Sequence, residues 1–263
     1  MQRPVPGMGD ILRSIAARFP DTGEADALGI VCQGGNLSLP LLLAAYSKGI
    51  FPWFNEGEPI LWWSPNPRCV ILPEDYHCPK RALRSIRKAN FRITCDTAFG
   101  RVIQACGMRK KTWLGASMKK AYMDLHEAGF AHSIEAWQDE TLVGGLYGLA
   151  LGRAFFGESM FHTVSEASRA SLRALVKLMR LRGMTLLDCQ QESAHVMAQG
   201  GSLLAREDFE ERLGMALACL RDAGDALTQE YAETPEAGKH LWPFLPWRKG
   251  YVWQDDAWQE QGA

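Results

Sequence analysis

The chain has 263 residues, 47% of them hydrophobic and 22% charged, and its 29 basic side chains nearly cancel 30 acidic ones to leave a formal net charge of -1. That length suits one domain or two modest ones with a sizeable core. Near-neutrality excludes a whole-molecule field as the means of holding a polyanion, so a partner of that kind has to meet a local basic patch. The seven cysteines are odd in number, scattered and without a C-x-x-C pair, so reduced thiols are expected rather than a disulfide framework or a zinc site. Asp10, Arg13 and Arg18 interrupt the apolar positions of the first twenty residues, and no later run is long enough to span a bilayer, so a soluble cytoplasmic protein is expected.

In chain order, NLSLPLLLAAYSKG (36–49) opens with a polar cap candidate, continues through Leu41, Leu42, Ala45 and Tyr46, and ends in Lys48 and Gly49, a helix with start and stop signals. The stretch from Gly49 to Pro73 holds five prolines, two glycines, three tryptophans and two phenylalanines, and is expected to be rigid and irregular. PKRALRSIRK (79–88) then places Lys80, Arg84, Arg87 and Lys88 on one helical face, the single dense basic face in the chain. A solvated surface would account for it. Phosphate contact is favoured because the nearby acids, Glu74 and Asp75, both precede the run.

Met118, Tyr122 and Leu125 predict a helix over 116–128, with Gly129 as its stop. HSIEAWQ and TLVGGLYGLAL flank a polar turn at Asp139 and Glu140 as a hairpin, and RAFFGESMF reads as a third strand. Thr163 and Glu166 offer a capping box before a helix through Leu172, Leu175, Val176 and Met179 that Gly183 closes. TLLDCQ is a short buried strand, followed by helices near 193–200 and 206–221. This order predicts an α/β (α+β) core in which a crossover helix bridges a parallel pair. The segment from Pro235, with Trp242, Phe244, Trp247, Tyr251, Trp253 and Trp258, is expected to dock on the body or on a partner.

YSKGIFPWF and ILWWSPNPR, joined by AHSIEAW, LVGGLYG, FFGESMF and LLDCQ, make residues 28–220 resemble the bacterial leucyl/phenylalanyl-tRNA-protein transferases. The resemblance implies a cytoplasmic enzyme that moves leucine or phenylalanine, and less readily methionine, from aminoacyl-tRNA to an N-terminal Arg or Lys, marking the acceptor for N-degron proteolysis. It implies a small N-terminal domain (1–66) followed by a larger domain similar to the GNAT acyltransferases (67–225), with aminoacyl-tRNA as donor and no cofactor. Residues 226–263 read as an extension, and a monomer is expected because no exposed heptad or repeat asks for a partner. A coenzyme A cradle needs a glycine-rich loop after the central strand. FFGESMF runs instead into HTVSEAS, which has no such glycines.

The donor is an activated ester and the acceptor an α-amine with a pKa of roughly 8, so adjacency and charge stabilisation matter more than a strong base. Glu158, Asp188 and Gln190 are polar groups in strands that otherwise read as buried, and unpaired burial would cost on the order of kcal/mol each. The resemblance assigns Gln190 to orienting the amine and carbonyl, Asp188 to holding Gln190, and Glu158 to the incoming N-terminus. Two carboxylates also suit a cationic acceptor side chain. By the same resemblance Leu146, Phe155, Gly157, Met160, Leu172 and Leu175 line the aminoacyl pocket, Trp53, Trp113, Tyr46 and Tyr122 hold the adenosine, and Lys80, Arg84, Arg87 and Lys88 meet the acceptor stem. Core packing would explain each apolar position on periodicity alone. The arginine that the family shows after its TW pair is missing here or replaced by Lys110 or Lys111. HEAGFAH is not H-E-x-x-H, and no metal is assigned; His162 is at most an outer group of the site. A transferase using another amine acceptor, such as a cell-wall precursor, and a non-catalytic tRNA or N-degron binding module are the alternatives.

Overall fold

The computed structural model describes residues 8–108, 112–233, 251–254 and 256–260. Near the N-terminus, α1 (Met8–Ala16) packs on α2 (Leu39–Ser47), whose first turn contains Pro40. Gly49 turns the chain out of α2 with φ +71°, and a Cβ there would collide with the ring of Phe209. The proline- and tryptophan-rich stretch is not irregular throughout, as its composition suggested. It forms β2 (Phe51–Pro52) and β3 (Leu61–Trp63), which complete a small sheet with β1 (Ile30–Gln33), and then β4 (Arg68–Ile71). Its prolines fall at strand ends and between strands, where no ladder hydrogen bond is lost.

The main sheet has seven strands in the order β10-β4-β9-β8-β7-β6-β5, adding β5 (Arg92–Cys95), β6 (Ala131–Gln138), β7 (Thr141–Leu151), β8 (Ala154–His162), β9 (Leu186–Gln190) and β10 (Gly201–Leu204). The β6–β7 hairpin turns at Asp139, whose positive φ suits an Asx residue. Between β8 and β9, the parallel pair, α6 (Ala167–Leu181) makes the expected crossover. Its capping box does not form. Glu166 occupies the cap position with φ 70°, its carboxylate pairs with Arg169, and the Thr163 hydroxyl donates to the Val143 carbonyl.

One face of the sheet is covered by α6 and α3 (Lys80–Ala89). The other meets α2, α4 (Phe99–Cys106), α5 (Ala116–Glu127) and α8 (Arg206–Glu233). The N-terminal elements share that second core with β7, β8 and α8, through Tyr46, Phe156 and Phe209. The short α7 (Ala194–Met197) follows β9, with the Ser193 hydroxyl accepting from the Val196 N–H.

In the tail, β11 (Tyr251–Gln254) and β12 (Ala257–Glu260) form a hairpin that docks on α6, where the Trp258 indole donates to the Ala174 carbonyl at 2.8 Å. Trp242, Phe244 and Trp247 lie outside the described residues, as do Lys110 and Lys111. Among the described residues no helix is long and apolar enough to cross a membrane.

Candidate active site

The two central strands separate where the chemistry is expected. Register between β8 and β9 covers Ala154–Phe156 against Leu186–Asp188 and goes no further. Beyond that point each strand has one residue more than its antiparallel neighbour. On the β7 side, Gly148 faces Gly157 while Tyr147 faces Ser159, which leaves Glu158 unopposed. On the β4 side, Val70 faces Asp188 while Cys69 faces Gln190, which leaves Cys189 unopposed. These are β-bulges, which bend a strand and re-aim its side chains. Gly148 permits the first: a Cβ there would be driven into the Phe156 carbonyl oxygen and the Phe155 ring.

A cavity of about 440 Å³ opens along this split. Leu146, Gly157, Met160, Leu172 and Leu175 border it, together with Leu187 and Val196. Phe155 does not. It is fully buried behind the wall and fills the space that Gly148 leaves. Trp113, half-buried, borders the cavity. Trp53 is also half-buried but lies away from the lining, tilted against Trp63 with ring centroids 5.1 Å apart.

Tyr46 and Tyr122 correct the expected adenosine platform. Both are completely buried, so neither ring offers a face for stacking. Their hydroxyls converge instead on Glu158: Tyr46 reaches Oε1 at 2.7 Å, Tyr122 reaches Oε2 at 2.6 Å, and the two phenolic oxygens are 2.5 Å apart. The Gln190 side-chain amide donates to Oε1 at 3.0 Å. This ring of two phenols and a carboxyl has a proton requirement. Two phenols supply two hydrogens for three short contacts, so the third is supplied when Glu158 is protonated and donates into the ring. Burial acts in the same direction, pushing the Glu158 carboxyl up to about 7, with Asp188 adding to the rise, against the phenol and amide bonds that favour the anion. Burial also raises both phenols well above the usual tyrosine range.

Asp188 behaves differently. It is fully buried and paired with Arg68, whose Nε and Nη2 donate to its two oxygens at 2.9 and 2.7 Å. The guanidinium is also fully buried, between the rings of Phe51 and Phe209 at 4.9 and 4.5 Å from their centroids. Asp188 Oδ1 accepts from the Gln190 backbone N–H at 2.8 Å. Gln190 needs that anchor, since its φ of 64° is a left-handed conformation costly for a non-glycine residue. With its charge taken by Arg68, Asp188 is not a second carboxylate for a cationic acceptor; it fixes the backbone from which Gln190 reaches Glu158.

Reading the sequence did not find Arg68, although an arginine at the head of the apolar run CVIL was a signal. His195 was missed too. It lines the cavity with His162, whose Nδ1 lies 3.2 Å from the buried Ser168 hydroxyl. Lys80, Arg84, Arg87 and Lys88 are exposed on α3, which packs through Ala82 and Ile86 on the α6 side of the sheet, apart from the cavity lining. Among the described residues no group of three or more His, Cys, Asp or Glu is placed to hold a metal.

The geometry is therefore an apolar pocket whose polar end is a carboxyl–phenol–carboxamide cluster. Comparison with known proteins points the same way. Residues 70–214 match the family described as leucyl/phenylalanyl-tRNA protein transferase, and residues 35–66 match its N-terminal domain. A leucyl/phenylalanyl-tRNA–protein transferase of Lawsonia intracellularis is 47% identical over 204 residues, covering 76% of this chain and 90% of its own length. One from Methylococcus capsulatus is 45% identical over 228 residues, covering 84% and 91%. On this similarity, with the matched region spanning the cavity and the cluster around Glu158, the chain belongs to the leucyl/phenylalanyl-tRNA–protein transferase family of aminoacyltransferases.

Proposed function

We propose that the chain transfers leucine or phenylalanine, and less readily methionine, from aminoacyl-tRNA to the N-terminal Arg or Lys of acceptor proteins in the cytoplasm, marking them for N-degron proteolysis. The observation that supports this reading best is the junction of the apolar cavity with Glu158 and Gln190 at the split between β8 and β9. The donor side chain occupies the cavity, between Leu146, Met160, Leu172 and Leu175, with Gly157 leaving room beside it. Trp113 at the border is the ring available to the terminal adenosine, and the exposed cations of α3 take the acceptor-stem phosphates.

In the reaction the acceptor α-amine attacks the ester carbonyl, the C–N bond forms, the bond to the ribose oxygen breaks, and one proton passes from nitrogen to that oxygen. Holding ester and amine side by side supplies most of the acceleration, of the order of 7 kcal/mol or more. Gln190 orients the amine and the carbonyl. Ionised Glu158 accepts the ammonium proton, and the ring through Tyr122 and Tyr46 gives that proton a bonded place until the ribose oxygen takes it. No added cofactor is required, because the ester already carries the activation.

The test is transfer of label from radiolabelled Leu-tRNA to an Arg-initiated peptide. Label in the peptide supports the assignment. Label only in a cell-wall precursor amine would replace the acceptor, and binding of tRNA without transfer would reduce the chain to a binding module.

A further inference from the structure

The basic face of α3 does not end at that helix. The α3 run is not the single basic face that the sequence suggested: on α6, Arg169, Arg173, Lys177 and Arg180 recur at spacings of four, four and three, which puts them on one face. Two of them meet the C-terminal hairpin. Arg173 forms a bidentate pair with Asp256, and Lys177 donates to the Asp256 carbonyl while its ammonium lies 5.4 Å from the centre of the Trp253 ring. The Lys177 ammonium also lies 3.5 Å from Asp256 Oδ2, so one carboxylate serves two cations, and a third, Arg87 of α3, stands close enough to act on Lys177. Burial, Arg173 and Arg87 together hold the Lys177 ammonium below the usual lysine range against the pull of Asp256. Where α3, β5, α6 and the hairpin meet there is a cavity of about 250 Å³, bordered by Arg87, Asn90, Arg173, Trp253 and Asp256 over a floor of Ile86 and Phe91. This seam combines surplus positive charge with a half-buried indole, the pairing that recognises a sugar–phosphate chain and an unpaired base. The hairpin lies beyond the residues that the family model matches.

We propose that the C-terminal hairpin extends the RNA-binding surface of α3, the cleft between Arg87, Asn90 and Trp253 taking backbone phosphate and one base of the donor tRNA. The inference rests on aminoacyl-tRNA being the donor. Asp256 keeps the hairpin on α6 while, among the described residues, Arg87 has no carboxylate partner of its own in the cleft.

The test measures the affinity of the full chain for uncharged full-length tRNA by fluorescence anisotropy at low salt, for the wild type, Trp253→Ala, Trp253→Phe and Asn90→Asp. Loss of a stacked base predicts at least roughly fivefold weaker binding for Trp253→Ala, with retention in Trp253→Phe. Asn90→Asp sets a negative charge beside Arg87 without a change of size at an exposed position that tolerates left-handed backbone. It should weaken binding too, with the deficit closing as salt is raised. It also keeps the question open to refutation if Trp253→Ala loosens the hairpin. Wild-type affinity in both Trp253→Ala and Asn90→Asp would overturn this surface alone. A wild-type chain with no affinity for tRNA would overturn the donor assignment as well.

Discussion

The phenolic oxygens of Tyr46 and Tyr122 stand 2.5 Å apart while each reaches a different oxygen of Glu158. Three contacts among two phenols and one carboxyl are all satisfied only when the carboxyl contributes a hydrogen, so the cluster is built to hold a proton near neutrality. A base with its pKa near 7 is half available at neutral pH, which is where general-base efficiency is greatest. The ionised fraction grows as pH rises through about 7. The acceptor amine titrates in the same direction, so the informative quantity is the ratio of wild-type to Glu158→Gln turnover under saturating substrates. That ratio should fall as pH drops below about 7, approaching a tenfold loss per unit. A ratio that stays flat with pH would remove Glu158 from proton handling.

The same carboxyl has a stability signature. Its folded pKa, about 7, lies above the ordinary 4.5, so the folded state binds the proton more tightly than the unfolded chain does. The contribution to stability is therefore present below 4.5 and lost as pH climbs to about 7. Urea denaturation between those limits should show the wild type losing stability relative to Glu158→Gln, with no further divergence at higher pH.

Much of this architecture was legible in the sequence because it follows simple periods. The β6–β7 hairpin, the crossover by α6 and the strand LLDCQ are long or well-punctuated patterns, and each formed close to its expected bounds. The site was less legible, for two physical reasons. Strict alternation cannot put Phe155, Gly157 and Met160 on one side of a strand together, and the bulge at Glu158, which needs Gly148 on the neighbouring strand, is a property of two strands at once. The tyrosines were misjudged because helical spacing shows which face of α2 or α5 is apolar. It does not show that two phenols from different helices meet over one carboxyl. Arg68 was passed over because a charge beside an apolar run reads as a strand end, and its partner lies 120 positions away.

Arg68 and Asp188 give a sharp energetic test. Both are buried, and removing one leaves the other charge uncompensated, so Arg68→Met or Asp188→Leu alone should cost about 3–5 kcal/mol of stability. The double substitution should recover much of that loss, since no buried charge remains. Transfer should not recover with it, because the Gln190 backbone N–H loses its acceptor and the left-handed turn is no longer held. Denaturant melts and kcat for the three variants separate the two effects; recovery of both in the double variant would deny Asp188 its positioning role.

In the proposed reaction, pocket shape sets the choice of amino acid. Leu175 lines the cavity from α6 and Leu146 lines it from β7, so Leu175→Phe places a ring into the 440 Å³ space. Differences of a methylene or so in such a pocket are worth roughly 1–3 kcal/mol. The ratio of kcat/KM for leucyl over phenylalanyl donor should therefore rise by about tenfold or more, with the loss falling mainly on phenylalanine. An unchanged ratio would place the donor side chain elsewhere.

A buried pair distant from the chemistry contributes to stability with the opposite pH dependence. Asp96 is nearly inaccessible, accepts from the Ser133 N–H at 2.9 Å and faces His132 Nδ1 at 2.8 Å. Burial alone would raise its pKa, but His132, the Ser133 N–H and the nearby His126 together hold it below the usual carboxylate range. Because the folded pKa is depressed, the stabilisation is complete above the ordinary aspartate value and fades as pH falls through the folded one. Asp96→Asn keeps the shape and removes the charge, and hydrogen bonds to a charged group are worth about 1.5–3 kcal/mol. It should lower stability by about that amount near pH 7. The gap to wild type should narrow as the medium is acidified below the normal aspartate range, since the wild-type carboxyl then loses its charge too. Denaturant melts over that acid range decide the point, and a gap independent of pH would mean that the carboxylate charge contributes nothing there beyond its shape.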